Sequence, residues 1–432
     1  MHTSHRRQFL SDSAKAIAAA ATVTILNNHG KAAPSERVNL CLVGIRGRGR
    51  GVASNFAKLK NCQITHLCDV NEETFAPVSK AITDIQKTTP KNVTDLRDVL
   101  KDKSVDGLIV ATPDHWHALA TIWGCQAEKH VYVEKPISHN VFEGRKMVEA
   151  ARKYKRVVQV GTQSRSVPHY IEAINFVRSG KLGKIHMAKA WNSQLRRRVT
   201  APPDSAVPKG LNWDIWQGPA PERPFNTNRY TYGWRWMWDY GTGDMGNDGV
   251  HDLDIARWGL GVDFPSRVSG AGAKLFFAGD AQETPDTQVV TFEFSQTNQL
   301  LVYEMRIWSP YHQEGYENGA AFYGTEGYVL IGRSGWTIVE KRNKAMPQKV
   351  TGFTDMPHLE NFLACIKDGK TPNCDIEEGH RSTTLAHLGN IMYRVGRPLV
   401  FDGKTETIVG DDEAAKMLKR KGRKEFVIPD EV

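Results

Sequence analysis

No Cys-x-x-Cys pair occurs anywhere in the 432 residues, and the six cysteines are dispersed. The paired spacing of zinc sites and dithiol redox centres is therefore missing. Cys41 and Cys68 fall in apolar runs, Cys62 just before one and Cys125 in a helical pattern, which reads as structural thiols. Long apolar runs are missing too. Ala16–Leu26 covers 11 residues, and a membrane span needs about 20, so stable membrane insertion is not expected. Internal repeats are absent, as are low-complexity tracts beyond the first 33 residues. The chain also lacks a basic block. Its 57 Lys and Arg against 48 Asp and Glu give +9, but they are scattered, whereas a nucleic-acid footprint is clustered. What is present is an ordinary globular composition, 40% hydrophobic and 24% charged, at a length sufficient for two domains.

The first residues look like a leader. Arg6-Arg7-Gln8-Phe9-Leu10 precedes the Ala-rich stretch, and small residues follow at Gly30, Ala32 and Ala33. Tandem arginines, an aromatic and a modest apolar run resemble a twin-arginine export signal. The expectation is a signal peptide over residues 1–33 and a periplasmic or otherwise exported protein.

From residue 37, short apolar runs alternate with amphipathic stretches. The runs are Val38–Val43, Ile64–Cys68, Gly107–Ala111, Val131–Glu134 and Val157–Val160; helical patterns lie near 50–60, 72–87, 116–128 and 141–154. This alternation predicts βαβ units around a parallel sheet, a Rossmann-like domain over 36–160. Residues 161–432 read differently. A helix at His169–Ser179 leads into seven strand-like runs between Ile185 and Lys341, followed by helices near 356–368 and 376–395. They predict an α/β domain with a large, mostly antiparallel sheet. Residues 192–240, rich in Pro and Trp, are too long for an ordinary loop and are expected to cover substrate or contact another subunit.

Gly44-Ile45-Arg46-Gly47-Arg48-Gly49 follows the first strand and opens a helix. Such a turn sets backbone N–H groups and a helix N-terminus against a pyrophosphate. The usual G-x-G-x-x-G places Arg46 where its second glycine belongs. Gly47 can supply the close approach instead, and Arg46 and Arg48 can pair with phosphate oxygens. Asp69 ends the second strand 20 residues after Gly49, a spacing suited to a ribose diol; its charge favours NAD over NADP. Thr112-Pro113 through His117 forms the next cofactor-flanking loop, with Thr112 a candidate helix cap. Glu134-Lys135-Pro136 closes a further strand. A lysine at the carboxyl edge of such a sheet can act on a reacting oxygen if burial lowers its pKa.

These motifs, with Val160-Gly161-Thr162-Gln163-Ser164-Arg165 and Gly241-Thr242-Gly243…Gly249-Val250-His251…Asp254, resemble the Gfo/Idh/MocA oxidoreductases, the glucose–fructose oxidoreductase and inositol dehydrogenase group. The Trp-rich stretch Asn212–Pro219 looks like an exported subgroup. The resemblance covers about residues 36–400. It implies bound NAD, Lys135 beside the nicotinamide with Glu134 and Gln163 in the cofactor site, and His251 as the acid/base. Many members carry an Asp four residues before that His; here Asn247 stands there and Asp248 adjoins it. Asn cannot accept a proton but can bond a sugar hydroxyl.

On a helix starting near 246, Asn247, His251 and Asp254 would share a face, with Asp254 free to orient His251. A metal site at His251 and Asp254 lacks further ligands at recognisable spacing, so none is expected. Arg165 and Arg235 are candidate partners for substrate hydroxyls or carboxylates. The alternating aromatics from Tyr230 to Tyr240 suit either one face of a strand or a sugar-stacking loop. Three functions follow: an NAD-dependent oxidoreductase of a sugar or polyol with a tightly held, recycled cofactor; an NAD-dependent glycosidase that oxidises and eliminates; or a non-enzymatic sugar-binding protein. A homo-oligomer, dimer or tetramer, is expected.

Overall fold

The computed structural model describes residues 37–432 apart from Lys349 and Thr351. The predicted signal segment lies outside the described residues. The first domain runs β1 (Val38–Val43), α1 (Gly47–Phe56), β2 (Cys62–Cys68), α2 (Phe75–Gln86), β3 (Lys91–Val93), α3 (Leu96–Lys101), β4 (Gly107–Val110), α4 (Asp114–Gln126), β5 (His130–Val133), α5 (Val141–Lys153) and β6 (Val158–Val160). The strands form a parallel sheet ordered β3-β2-β1-β4-β5-β6. Central strands of such a sheet are covered on both faces, so they read as continuous apolar runs. Leu40, Cys41 and Leu42 of β1 and Leu108, Ile109 and Val110 of β4 are accordingly fully buried. The sequence missed β3 and α3, which are too short to show a period.

Then come α6 (Pro168–Arg178), β7 (Ile185–Ser193), α7 (Trp213–Gln217), α8 (Thr227–Thr231), a π-helical turn (Met245–Gly249) running into α9 (Val250–Leu260), β8 (Arg267–Ala273), β9 (Thr287–Phe294), β10 (Gln299–Arg306), β11 (Asn318–Gly324), β12 (Gly327–Gly332), β13 (Gly335–Glu340), β14 (Lys344–Pro347), α10 (Met356–Asp368), α11 (Ile376–Val395), β15 (Leu399–Asp402) and β16 (Thr407–Ile408). Ten strands form one sheet, ordered β14-β13-β12-β11-β7-β10-β9-β8-β15-β16. Only β7 and β10 pair in parallel; the other neighbours are antiparallel. One face packs on α6, α9 and α11. On the other, Val289, Leu300 and Val400 share a side by register and remain exposed.

The late helices return to the first domain. α10 adds Leu359 and Phe362 to the core under α1 and α2. Gln159 of β6 bridges to Asp375, and Val160 N donates to the Cys374 carbonyl at 2.9 Å. His358 donates from Nε2 to the Val160 carbonyl at 2.8 Å, while its Nδ1 lies 2.7 Å from the Ser166 hydroxyl. Burial holds its pKa at about 4, so the ring is neutral and accepts from Ser166.

Residues 194–240 form a strap rather than a strand. Leu211 bridges to Asn71, Asn212 N donates to the Val70 carbonyl at 2.9 Å, and Glu72 N donates to the Gly210 carbonyl at 2.9 Å. Asn71 Nδ2 donates to Tyr230 Oη at 2.9 Å. The strap's outer turn is tied to the chain end, where Arg423 pairs with Asp214 at 2.6 Å. Of the alternating aromatics, Trp234, Trp236 and Tyr240 are core, and Trp234 lines a cleft together with the half-buried Tyr230 and Tyr232.

Candidate active site

The cleft, about 460 Å³, runs along the carboxyl edge of β1, β2, β4 and β5 beneath the strap, the crevice where open α/β sheets bind ligands. At one end, Gly44 (φ +81°) turns the chain out of β1; a Cβ there would lie 2.7 Å from the Ala111 carbonyl oxygen. A Cβ on Gly49 would lie 2.0 Å from the Gly44 carbonyl oxygen. Gly49 thus permits close helix–strand packing and does not itself line the cleft. Gly47 (φ +42°) has open space beside it at the start of α1. Arg46 lines the cleft and stacks over Tyr230 at 5.1 Å. Arg48 is tied to Glu134 at 2.9 Å and Asp355 at 2.7 Å, which corrects the expectation of a free phosphate-pairing arginine.

Asp69 accepts from Ile45 N and Asn71 N, each at 3.0 Å. A carboxylate offers about four acceptor positions, so it retains capacity for a diol. Across the cleft, Thr112 does not cap α4: the cap residue is Pro113, without a side-chain bond. The Thr112 hydroxyl is buried without a partner among the described residues. His117 lines the cleft, but its ring nitrogens already face the Pro136 carbonyl at 2.6 Å and the Thr112 carbonyl at 2.8 Å. It clips the β4 and β5 loops together.

Lys135 follows β5 and lines the cleft. Burial lowers its pKa, opposed by Glu134, Asp248 and Asp114. Its Nζ donates to the main-chain carbonyl of Asn247. The π turn changes the phase expected of an ordinary helix, and Asn247, His251 and Asp254 do not interact. Asn247 lines the cleft and donates from Nδ2 to Asp244 Oδ1 at 2.8 Å. Asp248 accepts from Asn318 Nδ2 at 2.9 Å and from Gln194. His251 lies outside the cleft lining, its pKa well below the usual range through burial and then the charges of Lys135, Arg333 and Arg48. Asp254 is bound by Arg165 at 2.8 Å and by the Ser382 hydroxyl at 2.6 Å, so it does not orient His251.

Two further expectations are corrected. Arg165 is a buried anchor between Asp254 and Glu378, away from the cleft. Gln163 sits behind the cleft wall, donating to Tyr132 Oη at 3.0 Å and approaching Glu134 Oε1 at 3.4 Å. Arg235 does line the cleft. The sequence reading passed over Asp114, a cleft-lining carboxylate only 3% exposed that accepts from the Thr242 hydroxyl at 2.9 Å. Burial raises its pKa, against the charges of His117, Lys135 and Arg235. An acid in a first helical turn ordinarily answers the helix dipole; its place between Thr112-Pro113 and His117 was the available signal.

Two family models match this chain. Residues 38–162 match the oxidoreductase family's NAD-binding Rossmann fold, and residues 188–428 its C-terminal α/β domain. The scyllo-inositol 2-dehydrogenase (NAD(+)) of Bacillus subtilis is 24% identical over 319 residues, 71% of this chain and 81% of that protein. A glycosyl hydrolase family 109 protein of Shewanella baltica is 27% identical over 221 residues, 45% of this chain and 48% of its own length. The aldose-aldose oxidoreductase of Caulobacter crescentus, solved with glycerol, shares the fold at TM-score 0.66 and 19% identity, over 84% of this chain and all of that one. With a glycine turn, a strand-end acid and a strand-end lysine on one NAD-binding crevice, the chain belongs to the Gfo/Idh/MocA oxidoreductase family.

Proposed function

We propose that this protein oxidises a secondary alcohol of a sugar or polyol, with NAD held along the cleft as hydride acceptor. The observation that carries the reading is Lys135: an amine whose charge burial disfavours, at the carboxyl edge of the sheet, facing the π turn of the second domain. Residues on both walls fit the dinucleotide. The Gly44–Gly47 turn and the α1 N-terminus suit its pyrophosphate, Asp69 the ribose diol, and the orphaned Thr112 hydroxyl a polar group near the nicotinamide. The Asp69 carboxylate disfavours a 2′-phosphate, which supports NAD over NADP. When bound, the nicotinamide supplies the two-electron acceptor.

Lys135 takes the hydroxyl proton as the amine. The Asn247 carbonyl fixes Nζ, and the His117 clip fixes the loops that carry Lys135 and Thr112. His251 lies outside the cleft lining and burial disfavours its protonated form, so Lys135 and not His251 is assigned the proton. The strap's bonds to Val70, Asn71 and Glu72 lie across the cleft and support a cofactor that stays bound between turnovers. Such a protein suits the twin-arginine route, which exports folded chains, and the reading includes export and a homo-oligomer.

The test is acid release of NAD from purified protein, followed by a sugar panel read through the absorbance of reduced nicotinamide. Protein without NAD that also fails to bind added NAD would overturn the proposal. Arg6→Lys with Arg7→Lys should strand the protein in the cytoplasm, and light scattering reads the oligomer.

A second reading, a glycosidase that oxidises, eliminates and reduces again, is favoured by Asn247 in the place of an acid and by the family 109 likeness. It requires aryl-glycoside cleavage without added NAD and solvent deuterium entering the sugar beside the oxidised carbon. No deuterium uptake rejects it.

A further inference from the structure

Of the four arginines that line the cleft, Arg46 and Arg235 have no carboxylate partner among the described residues. Arg48 binds Glu134 and Asp355, Arg97 binds Asp95, and Arg196 binds Asp244 at 3.2 Å. Arg46 stands at the pyrophosphate turn, where a phosphate would answer its charge. Arg235 is at the other end, on the 3₁₀ turn Gly233–Trp236, near Lys135 and Asp114. No carboxylate lies within ion-pair distance of it among the described residues. Its guanidinium carbon is 4.3 Å from the Trp234 ring centre and 5.0 Å from that of Tyr232. Two aromatic rings fix the plane of the group while leaving its edge for a ligand. Of its five N–H groups, one donates, from Nη1 to the Tyr232 carbonyl at 3.2 Å. Nε and Nη2, the edge that binds a carboxylate in bidentate fashion, have no protein acceptor among the described residues.

Burial disfavours this charge, and Asp114 acts on it from beyond pairing distance with one oxygen engaged by Thr242. A half-buried cation without a counter-ion is costly unless a ligand supplies one. The free Nε–Nη2 edge is planar and two-pronged, which matches the two coplanar oxygens of a carboxylate. Lys135 cannot claim the same anion without losing its role, because an ion pair would hold it protonated.

We propose that Arg235 selects an acidic sugar, its Nε–Nη2 edge holding the substrate carboxylate while the hydroxyl to be oxidised lies at Lys135. This rests on the oxidoreductase reading above and names its substrate class.

The experiment uses holoenzyme with glucuronate and galacturonate, each beside its neutral counterpart, glucose and galactose. Reduction of bound NAD is followed optically and binding by calorimetry. Each uronate should be preferred over its aldose by about 10- to 100-fold in the second-order rate constant for reducing the bound NAD, the range of one charge-assisted bidentate contact. Arg235→Gln should bring that ratio close to one, and Arg235→Lys, which keeps charge but loses the fork, should recover only part of it. Equal use of acid and neutral sugars by the unaltered protein, or a ratio unchanged in both variants, overturns the proposal. A variant that loses NAD at an unchanged ratio overturns it too, by assigning Arg235 to the cofactor. If no sugar of either kind reduces the bound nicotinamide, the oxidoreductase reading fails, and calorimetry still judges Arg235: glucuronate binding abolished by Arg235→Gln upholds the carboxylate site, and its absence in the unaltered protein rejects it.

Discussion

The Nζ of Lys135, carried by the first domain, donates to the main-chain carbonyl of Asn247, carried by the π turn of the second. The two halves of the reaction chamber therefore meet at the group expected to move the proton. Because the acceptor is backbone, the side chain at 247 can vary without loss of the contact. Lys135→Ala should lower kcat/KM by about 100- to 10,000-fold, the span of a lost general base, with bound NAD retained. Asn247→Ala should keep most of the activity. Single-turnover reduction of bound NAD checks both.

The pH profile follows from the lysine's burial. Its pKa lies below the ordinary lysine value because burial disfavours the ammonium. Sugar oxidation needs the amine, so the rate should rise with pH and level off once Nζ has lost its proton. That limb should fall below the usual lysine value of about 10.4. Asp248→Asn removes an acid that favours the ammonium, and should move the limb to lower pH. A limb that stays put excludes Lys135 as the titrating group.

Arg165 should report on folding rather than on substrate. It is 5% exposed and bonds Asp254, which is fully buried. Arg165→Met leaves that carboxylate without its cation, a loss of about 3–5 kcal/mol for a broken buried pair. Chemical denaturation should show this, with KM nearly unchanged in whatever protein remains folded.

The strap should govern how long the dinucleotide stays. Tyr230→Phe removes the bond to Asn71. One such bond contributes about 0.5–1.5 kcal/mol, so NAD should leave about 2- to 10-fold faster. Dilution of holoenzyme into a scavenging dehydrogenase measures the rate.

The parallel sheet was legible because its central strands are covered on both faces and spell unbroken apolar runs, as in Val38–Val43. Lys135 and the Gly44 turn were legible because each depends on local chain order. Arg165 and Gln163 were misplaced because their partners, Asp254 and Tyr132, are distant in sequence, and polarity alone cannot tell a buried anchor from a cleft residue. The π turn was hidden for a different reason. Gly246-Asn247-Asp248-Gly249 has no periodic apolar signature, and the one-residue shift it introduces separates Asn247 from His251. Asp114 carries no local mark, because an acid in a first helical turn is ordinary and its partner Thr242 is distant in sequence.

The seam near residue 162, where the likeness to the Rossmann family ends, is a boundary in sequence but not in space. The last strand of the first sheet finds its neighbours at Cys374 and Asp375, and His358 is wedged between Val160 and Ser166. A shuffled protein joined at that seam would leave β6 with an unpaired edge and strip the cover from Leu359's pocket under α1. Recombination can exchange coenzyme and substrate specificities here only by carrying two separated pieces of chain together. The cofactor-binding unit, as an inheritable part, includes residues more than 200 positions beyond its final strand.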